Sequence, residues 1–513
     1  MTAPEATARP RVGTAAPSGV AATARGGWWG MAGSVANAVF SFVLVGLITR
    51  AVGAQGAGAI FTGVALFTIL SNACKLGADT GLVRFVPRDL AVDDGRSVDA
   101  LLRTAVTPAA IAGTAAAVPL LLSPSVATTL LPHLPAADAV DLVRLFGLFL
   151  PAATVGMVLL GATRGYGTVV PFVGVEQIGK PVLRVLIAVP VAWYAPGVLS
   201  LASAWLLPAL AGAVASWLCL RRCRAGRPTP PGEGNPTVPW RSFWGFAAPR
   251  AVSSVFDISA VWVGVILLSA LATAGEAGVY TAIGRVVTAG TLVQLAVRLA
   301  VAPELSRLLA VDGTADAHDL HRVSTCWTVL FSWPLFAIVA CFPGTVLSVF
   351  GPEFAGGALA LVVLCAASAV NVAVGNAQTV LLMAGKSSWH LAVTAAAFTV
   401  QLTVGVLAVP AWGVLGAAVS WGAAIVVENL TAAVLIRFRL GFRTVDRGYA
   451  TAVALGLVTA LVLAATRLSE GDTPSGLAAG MGLGLGVFGI TLWRYRTSLR
   501  VGDLVGVLRR RAA

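Results

Sequence analysis

Three charged side chains lie close together in a stretch of sequence that is otherwise apolar. Glu176, Lys180 and Arg184 occur in "GVEQIGKPVLRVLIAVP" (174–190) at positions i, i+4 and i+8. On an α-helix this spacing brings all three to nearly one face. Glu176 can neutralise Lys180, and Arg184 is then the unmatched cation, with a guanidinium fork suited to phosphate. The stretch predicts either a self-neutralised ion pair inside a helix bundle or part of an anion site.

Polar side chains recur at helical spacing in other apolar segments. A charge inside a membrane costs a few kcal/mol unless it is paired or hydrated, so such side chains are expected to face a cavity or a partner. In several of these clusters the cations outnumber the acids, which favours an anionic ligand such as phosphate or pyrophosphate. The predicted cavity residues are Lys180, Arg184, Arg250, Arg285, Asn37 and Lys75. The predicted counter-charges or coupling groups are Glu176, Asp257 and Asp79.

The composition identifies the elements that must position these side chains. Of 513 residues 57% are hydrophobic and 11% charged, and the mean hydropathy is +0.86, which excludes a water-soluble globule. A membrane span needs about 20 mostly apolar residues. We predict an all-α, polytopic integral membrane protein with about 14 transmembrane helices. They lie near 28–49, 57–77, 104–123, 142–162, 170–193, 198–220, 242–271, 278–302, 325–350, 357–384, 388–409, 413–436, 448–466 and 475–494.

The basic residues predict the orientation of these spans. Arginines or lysines precede the first span and follow each even-numbered one, whereas the opposite side receives few, namely Arg50, Arg144 and Arg467. Because Lys and Arg are retained on the cytoplasmic side, both termini are predicted to be cytoplasmic. The net charge of +13 is then mainly a topology signal, and no nucleic-acid partner is expected.

An internal repeat predicts two lobes in the same orientation. "YAPGVLSLASAW" (194–205) matches "PAWGVLGAAVSW" (410–421), and "GAQGAGAIFTG" (53–63) is echoed by "ATAGEAGVYTA" (272–282). Two parallel six-helix lobes with a substrate site between them are an architecture of secondary transporters. The predicted domains are a disordered cytoplasmic tail (1–27), an N-lobe (28–220), a cytoplasmic linker (221–241), a C-lobe (242–440), two extra spans (441–495) and a basic cytoplasmic tail (496–513).

Cysteine and histidine predict no metal site and no cofactor. The six cysteines lie mostly inside spans, without the paired spacing of a zinc site or a disulfide framework. His318 and His321 flank a polar loop, where solvated side chains are the ordinary expectation.

Two segments resemble those of bacterial polysaccharide biosynthesis flippases. "GAQGAGAIFTGVALFTILSNACKLGADTGLVRFVPRDLA" (53–91) is similar to the family's second span, a Gly-rich start followed by an end of the type Gly-Leu-x-x-x-x-Arg-Phe, here Gly77 to Arg84-Phe85. "GEAGVYTAIGRVVTAGTLVQLAVRLAVAPELSRL" (275–308) resembles the matching segment of the second half. The resemblance is to the oligosaccharide flippase branch of the multidrug/oligosaccharidyl-lipid/polysaccharide exporter superfamily, and it assigns Arg84 and Arg88 to the family motif at a cytoplasmic gate.

The resemblance implies a transporter, not an enzyme, in the cytoplasmic membrane of a bacterium. Its branch moves polyprenyl-diphosphate-linked oligosaccharides by alternating access and holds the diphosphate with cations in a central cavity. The implied partners are the lipid-linked glycan, membrane lipids and polysaccharide-assembly enzymes. In related lipid II flippases an extra pair of spans, like 13 and 14 here, shapes a groove for the lipid tail.

Two other functions stay open at this stage. A cation-coupled multidrug exporter of the same superfamily would carry an acidic residue in span 1, where this sequence has only Asn37 and small hydroxyls. A polytopic glycan polymerase or ligase would need a sizeable outer loop with acidic or histidine groups. The only candidate is "SPSVATTLLPHLPAADAVD" (123–141), with His133, Asp138 and Asp141.

Overall fold

The protein is built from long helices. The computed structural model describes residues 18–92, 98–225, 240–310, 314–384 and 386–499, and within these ranges no strand occurs. Ten helices are long and apolar enough to cross a membrane, or eleven if one bent pair is counted as a single span. The all-α, multi-pass fold class is therefore confirmed, whereas the exact number of fourteen spans stays a prediction.

The first half of the chain contains eight α-helices and one π-helical segment. In chain order they are α1 (Ser18–Cys74), α2 (Ala78–Val92), α3 (Val98–Leu122), α4 (Pro124–Leu130), α5 (Ala136–Gly165), α6 (Val170–Phe172), the π segment Val173–Gly179, α7 (Lys180–Tyr194) and α8 (Val198–Ala225). Helix α1 begins at Ser18, ten residues before the predicted first span, so only residues 1–17 of the predicted tail lie outside the described residues. Most of the predicted linker (226–239) lies outside them too.

The second half contains ten α-helices and one 3₁₀ segment. They are α9 (Trp240–Leu271), α10 (Ala274–Gly290), α11 (Leu292–Ala310), α12 (Thr314–Cys341), α13 (Pro343–Leu347), the 3₁₀ segment Pro352–Gly357, α14 (Ala358–Ala373), α15 (Ala377–Met383), α16 (Ser387–Arg439), α17 (Arg447–Glu470) and α18 (Pro474–Arg494). Residues 500–513 of the predicted basic tail are outside the described part of the chain.

Two of the helices are broken by a glycine near the middle. In α1 the break is at Gly53, with φ 67° and ψ −178°, and in α16 it is at Gly413, with φ 51° and ψ −125°. A residue with a Cβ atom adopts such positive φ values only with strain, so glycine is required at both points. Each helix covers most of two predicted transmembrane segments. Gly53 lies between 28–49 and 57–77, and Gly413 is the first residue of the predicted segment 413–436.

The two halves pack closely at the Gly53 end of α1. A Cβ atom on Gly58 would collide with the carbonyl oxygen of Ala274, and one on Gly278 with the carbonyl oxygen of Ala54. The contacts are reciprocal, since Gly58 and Gly278 occupy equivalent places on α1 and α10. Absence of side chains at both positions lets the two backbones touch.

The two halves of the chain also contact each other after the end of α1, near residue 77. The chain breaks again at Leu76 and Gly77, with φ 53° and 71°, and a Cβ atom on Gly77 would collide with the carbonyl oxygen of Ala247 in α9. The ring of Phe85 in α2 packs against that of Phe243 in α9, with centroids 5.8 Å apart. The segment 54–74 of α1 therefore contacts the second half at both ends.

Candidate functional site

A cavity of about 200 Å³ lies between the two halves, beside the segment 54–74. Its polar lining comes from α1 (Ser41, Thr68, Ser71, Asn72), the π segment and α7 (Glu176, Lys180, Arg184), and α10 (Arg285). Aromatic lining residues include Phe40, Phe61, Phe67, Trp205 and Trp262. Three of the five cations predicted to share a cavity, Lys180, Arg184 and Arg285, are thus brought together.

Arg184 is held by one neighbouring tryptophan in two ways. Its Nε donates a hydrogen bond to the carbonyl oxygen of Trp205 at 3.1 Å, and its Cζ lies 3.8 Å from the centroid of the same indole ring. Trp205 is itself fixed by Phe67 and Phe146, with ring centroids 5.6 and 6.1 Å away. The contacts use one face and the Nε–H of the guanidinium, and its terminal Nη edge is left for a ligand.

Arg285 reaches the same cavity from the second half of the chain. Its Cζ lies 5.3 Å from the ring centroid of Trp262, at the outer range of a cation–π contact. Its Nε is buried and has no hydrogen-bond partner within the described ranges. A buried charged donor without an acceptor is costly, so this atom is one that an anionic ligand would satisfy.

Glu176 and Lys180 form an ion pair at the cavity wall. Lys180 Nζ lies 2.6 Å from Glu176 Oε2, and the Lys180 side chain is only 8% exposed. Gly212 in α8 gives the lysine room, because a Cβ atom there would collide with Lys180 Cε. The self-neutralised pair predicted from the spacing is therefore present, and it leaves Arg184 unmatched by any carboxylate among the described residues.

The residues that carry Glu176 adopt a π-helix instead of the expected α-helix. Pro181, two residues after the π segment Val173–Gly179, cannot donate a backbone hydrogen bond. A π turn contains an extra residue, so it changes the face on which the side chains before Lys180 emerge.

Lys75 and Asp79 belong to a separate buried cluster. Lys75 Nζ lies 3.2 Å and Arg164 Nη2 3.6 Å from Asp79 Oδ2, and neither Lys75 nor Asp79 lines the cavity. Lys75 follows the cavity residues Ser71 and Asn72 by one turn, next to the break at Leu76. The cluster ties α2 and α5 across that break, so the structure gives Lys75 a structural partner in place of the predicted ligand.

Arg250, Asp257 and Asn37 also lie away from the cavity. Arg250 precedes Trp262 by roughly 18 Å along α9 and is exposed, as are Asp257 and Asn37. Asn37 lies one turn before the lining residue Ser41. The prediction that all six residues face one cavity therefore fails for Arg250, Asn37 and Lys75, because helix rotation and depth were not known.

Asp257 lies instead in a polar group within the second half. His390 and Arg250 are its charged neighbours; His390 Nε2 is 3.1 Å from Gln378 Oε1, and Thr394 Oγ1 donates to Glu428 Oε1 at 3.2 Å. Neither Glu428 nor His390 is among the site residues predicted from the sequence. Both are brought to this group by the packing of α15 and α16.

Arg84 and Arg88 of the family motif are both exposed. Arg84 Cζ lies 4.3 Å from the ring centroid of Phe246 in α9, so this arginine bridges the two halves at the Gly77 end. Arg88 extends from the same helix, one turn further on.

The chain matches a known protein family over more than half of its length. The sequence profile of the family described as "Polysaccharide biosynthesis protein" matches residues 23–309. The chain belongs to this family. The match covers both arginines and the ion pair of the cavity, and it confirms the resemblance drawn from residues 53–91 and 275–308. A search of curated protein sequences found no match.

Solved structures of membrane transporters share the fold of this polysaccharide biosynthesis protein. "Lipid II flippase MurJ, inward closed conformation" aligns with a TM-score of 0.71 and 11% identity, covering 90% of this chain and 98% of that one. The Vibrio cholerae MATE transporter VcmN gives 0.55 and 16%, covering 84% and 99%. A MOP superfamily transporter from Pyrococcus furiosus gives 0.57 and 15%, covering 86% and 96%.

The sequence profile shows the family and the solved structures show a transporter fold, which agrees with the expectation of a transporter. For the part of the chain that the structure describes, no group of three or more His, Cys, Asp or Glu side chains could hold a metal ion. The cavity itself is lined by two arginines and the Glu176–Lys180 ion pair, side chains that can bind, orient and release a charged group.

Proposed function

We propose that this protein is a flippase that moves a lipid-diphosphate-linked oligosaccharide across the cytoplasmic membrane of a bacterium by alternating access. One observation carries the proposal: Arg184 and Arg285, one from each half, line a single cavity, and neither is paired with a carboxylate in the described part of the chain. Two unneutralised guanidinium groups in a site of low dielectric favour an anion.

A diphosphate suits this arrangement better than a single carboxylate does. It offers two linked tetrahedral groups with several acceptor oxygens, and each guanidinium can bind one of them with two parallel hydrogen bonds. Lys180 lies in the same wall, but Glu176 neutralises it at 2.6 Å. We therefore assign the main contacts to the two arginines, with Lys180 in support.

The size of the cavity fits a state in which no glycan is held. About 200 Å³ is less than the roughly 300–1,000 Å³ of ordinary small-molecule sites. The halves must separate at one end to admit a sugar headgroup, while the polyprenyl tail stays in the lipid. An inside-negative potential favours outward movement of the anionic group by about 2.3 kcal/mol per charge per 100 mV.

The positive-inside pattern supports cytoplasmic termini, which places the Gly77 end, with Arg84 and Arg88, on the cytoplasmic side. In this orientation the substrate enters at the Gly77 end and leaves at the Gly53 end. Asp257, in its group with His390 and Glu428, is the proposed coupling residue. Polysaccharide-assembly enzymes are the proposed suppliers of the substrate.

A reconstituted transport assay tests this function. Vesicles that contain the protein and a fluorescent polyprenyl-diphosphate oligosaccharide are treated from outside with a glycosidase or a lectin. We expect the protein to change the fraction of glycan that is protected. If protection is unchanged and an altered glycan appears instead, the protein is an enzyme and the proposal is wrong.

The same vesicles separate the flippase from a multidrug exporter. A site for organic cations would need acidic side chains, whereas among the described residues Glu176 is the only acidic one that lines this cavity, and it is paired with Lys180. Accumulation of a cationic dye in response to a proton or sodium gradient, without any flipping of the lipid, would favour the exporter.

A further inference from the structure

A segment from the second half of the chain forms hydrogen bonds with α1 on both sides of the break at Gly53. Residues 349–353 lie between α13 and α14. Arg50, before the break, donates from Nε to the carbonyl oxygen of Val349 at 2.8 Å. Ala54, after the break, donates its backbone N–H to Glu353 Oε1 at 2.7 Å. Both hydrogen bonds join residues 299 positions apart.

The segment 349–353 is attached to the second half through the 3₁₀ segment Pro352–Gly357. A Cβ atom on Gly357 would collide with Val279 and Ile283 of α10, and Phe354 is fully buried, at 0% exposure. Phe350 packs edge-on against Phe42 of α1 at 5.2 Å. Movement of the second half away from α1 at this end would therefore break this ring contact together with both hydrogen bonds.

Glu353 is suited to the role by its position at a helix start. The Gly53 break exposes the N–H groups that begin the helical segment 54–74, and a carboxylate there satisfies one of them and interacts favourably with the helix dipole. The contact is specific to the break, because Gly53 brings its Cα close enough that a Cβ atom would lie 3.1 Å from Glu353 Oε1.

We propose that the hydrogen bonds Arg50–Val349 and Ala54–Glu353 form a latch, the Gly53 latch, that holds the two halves together at this end and must release before the cavity opens there. The other contacts at this end include the packing of glycine backbones between α1 and α10, which involves no polar side chain. A pocket of about 490 Å³ adjoins the latch and is lined by Ala54 and Glu353. Water in this pocket can solvate the separated groups, so the latch is reversible.

The second broken helix provides a matched control. At the Gly413 break of α16, Glu276 lies so close that a Cβ atom on Gly413 would collide with its carboxylate, and Thr273 Oγ1 donates to Glu276 Oε2 at 3.1 Å. Glu276 also lines the 490 Å³ pocket. It belongs to the same half as Gly413, so its removal changes a similar acid at a similar break without cutting a contact between the halves.

Distance measurements between spin labels test the latch in the purified full-length protein. One label pair, Gln55→Cys with Leu359→Cys, reports the Gly53 end, and a second, Arg88→Cys with Ser242→Cys, reports the Gly77 end; all four positions are exposed. The six native cysteines, all free in the structure, are replaced first, and the labelled proteins are checked for folding by size-exclusion chromatography.

We expect Glu353→Ala to raise the population of long Gln55–Leu359 distances by about threefold to tenfold, as the loss of one hydrogen bond predicts. Arg50→Ala removes the other hydrogen bond of the latch and should also raise the population of long distances. It provides a second test if Glu353→Ala fails to fold. Glu276→Ala should leave the distances as in the wild type, and the Gly77-end pair should not lengthen in any variant.

Unchanged Gln55–Leu359 distances in both Glu353→Ala and Arg50→Ala would overturn the proposal. So would an equal lengthening in Glu276→Ala, which would show that capping of a broken helix, and not contact between the halves, sets the distance. The measurement needs no substrate, so its outcome is independent of the proposed function.

Discussion

Arg184 lies over the indole ring of Trp205, with its Cζ 3.8 Å from the ring centroid, and donates a hydrogen bond from Nε to the carbonyl oxygen of the same residue. One residue thus holds the guanidinium through two contacts. Arg184 is therefore positioned at the cavity wall by the protein itself. A preorganised arginine loses less side-chain entropy on binding than a mobile one does.

Removal of the Trp205 ring should weaken substrate binding without removing a charge. A desolvated cation–π contact is worth about 2 kcal/mol, so we expect Trp205→Ala to raise the apparent KM for a lipid-diphosphate oligosaccharide by roughly tenfold or more, and Trp205→Phe to raise it less. Trp217, whose ring lies 4.6 Å from Arg221 Cζ on an exposed part of α8, is the control. An equal effect of Trp217→Ala would mean that Trp205 acts only through general stability.

Glu176 and Lys180 in the cavity wall should stabilise the protein only when both charges are present. Glu176→Gln leaves Lys180 buried without its carboxylate, and breaking a buried pair in this way costs about 3–5 kcal/mol. We expect a clear fall in melting temperature in detergent for Glu176→Gln. The double variant Glu176→Gln/Lys180→Met should recover most of it, since no unpaired charge remains. Additive destabilisation by the two substitutions would contradict the pairing.

The presence of charged side chains inside apolar segments could be predicted from the sequence, but which of them line one cavity could not. An arginine in an apolar segment is noticeable because it is costly there, and this identified Arg184 and Arg285 without a structure. Packing determines which face of each helix points towards the cavity. In segments rich in Gly, Ala and Val, several rotations of the helix about its axis fit the sequence pattern equally well. Arg250 was therefore grouped with Arg285, although about six turns of α9, a loop and about three turns of α10 separate them, and Arg250 does not line the cavity.

The contacts of the tryptophans and the breaks in the helices could not be predicted from the sequence either. Trp205 was noted only as part of a repeat, because nothing in its spacing tells which arginine it will contact. The glycines of residues 53–63 form a motif that is visible in the sequence, but the positive φ of Gly53 is not. The hydrogen bond from Ala54 to Glu353 joins segments about 300 residues apart, which no local pattern indicates. The π segment depends on how Pro181 is accommodated in the bundle, which no helical pattern specifies.

A loop outside the membrane-spanning helices should give the protein a stability that depends on pH. Asp472, between α17 and α18, accepts hydrogen bonds from Gly344 N, Thr345 N and Thr345 Oγ1 at 2.8, 2.9 and 2.8 Å. Partial burial raises the pKa of Asp472, but the hydrogen bonds from Thr345 and Gly344 outweigh it, and the net pKa is lowered. A lowered carboxyl pKa stabilises the fold above the unfolded value of about 4, and this stability is lost as the pH falls through the folded value.

We expect Asp472→Ala to lower the melting temperature at pH 7 by about 1–3 °C, from the loss of hydrogen bonds to a charged group. The difference from the wild type should shrink as the pH falls from about 4 through the lowered pKa of the folded state, because the wild-type carboxyl then becomes protonated and loses its charge-assisted hydrogen bonds. Thermal unfolding of both proteins across this range checks the prediction, and a difference that is the same at every pH would refute it.

The arrangement of one guanidinium from each half is tested most directly by transport of a polyprenyl-diphosphate oligosaccharide in reconstituted vesicles. The double variant Arg184→Gln/Arg285→Gln is compared with the wild type and with Arg221→Gln, which removes an exposed arginine outside the cavity. We predict that the double variant loses at least about 100-fold in initial rate, as expected for two charge-assisted contacts, while Arg221→Gln keeps a rate close to that of the wild type. A double variant that flips the lipid at the wild-type rate, or an Arg221→Gln protein that fails equally, would contradict the assignment of the cavity.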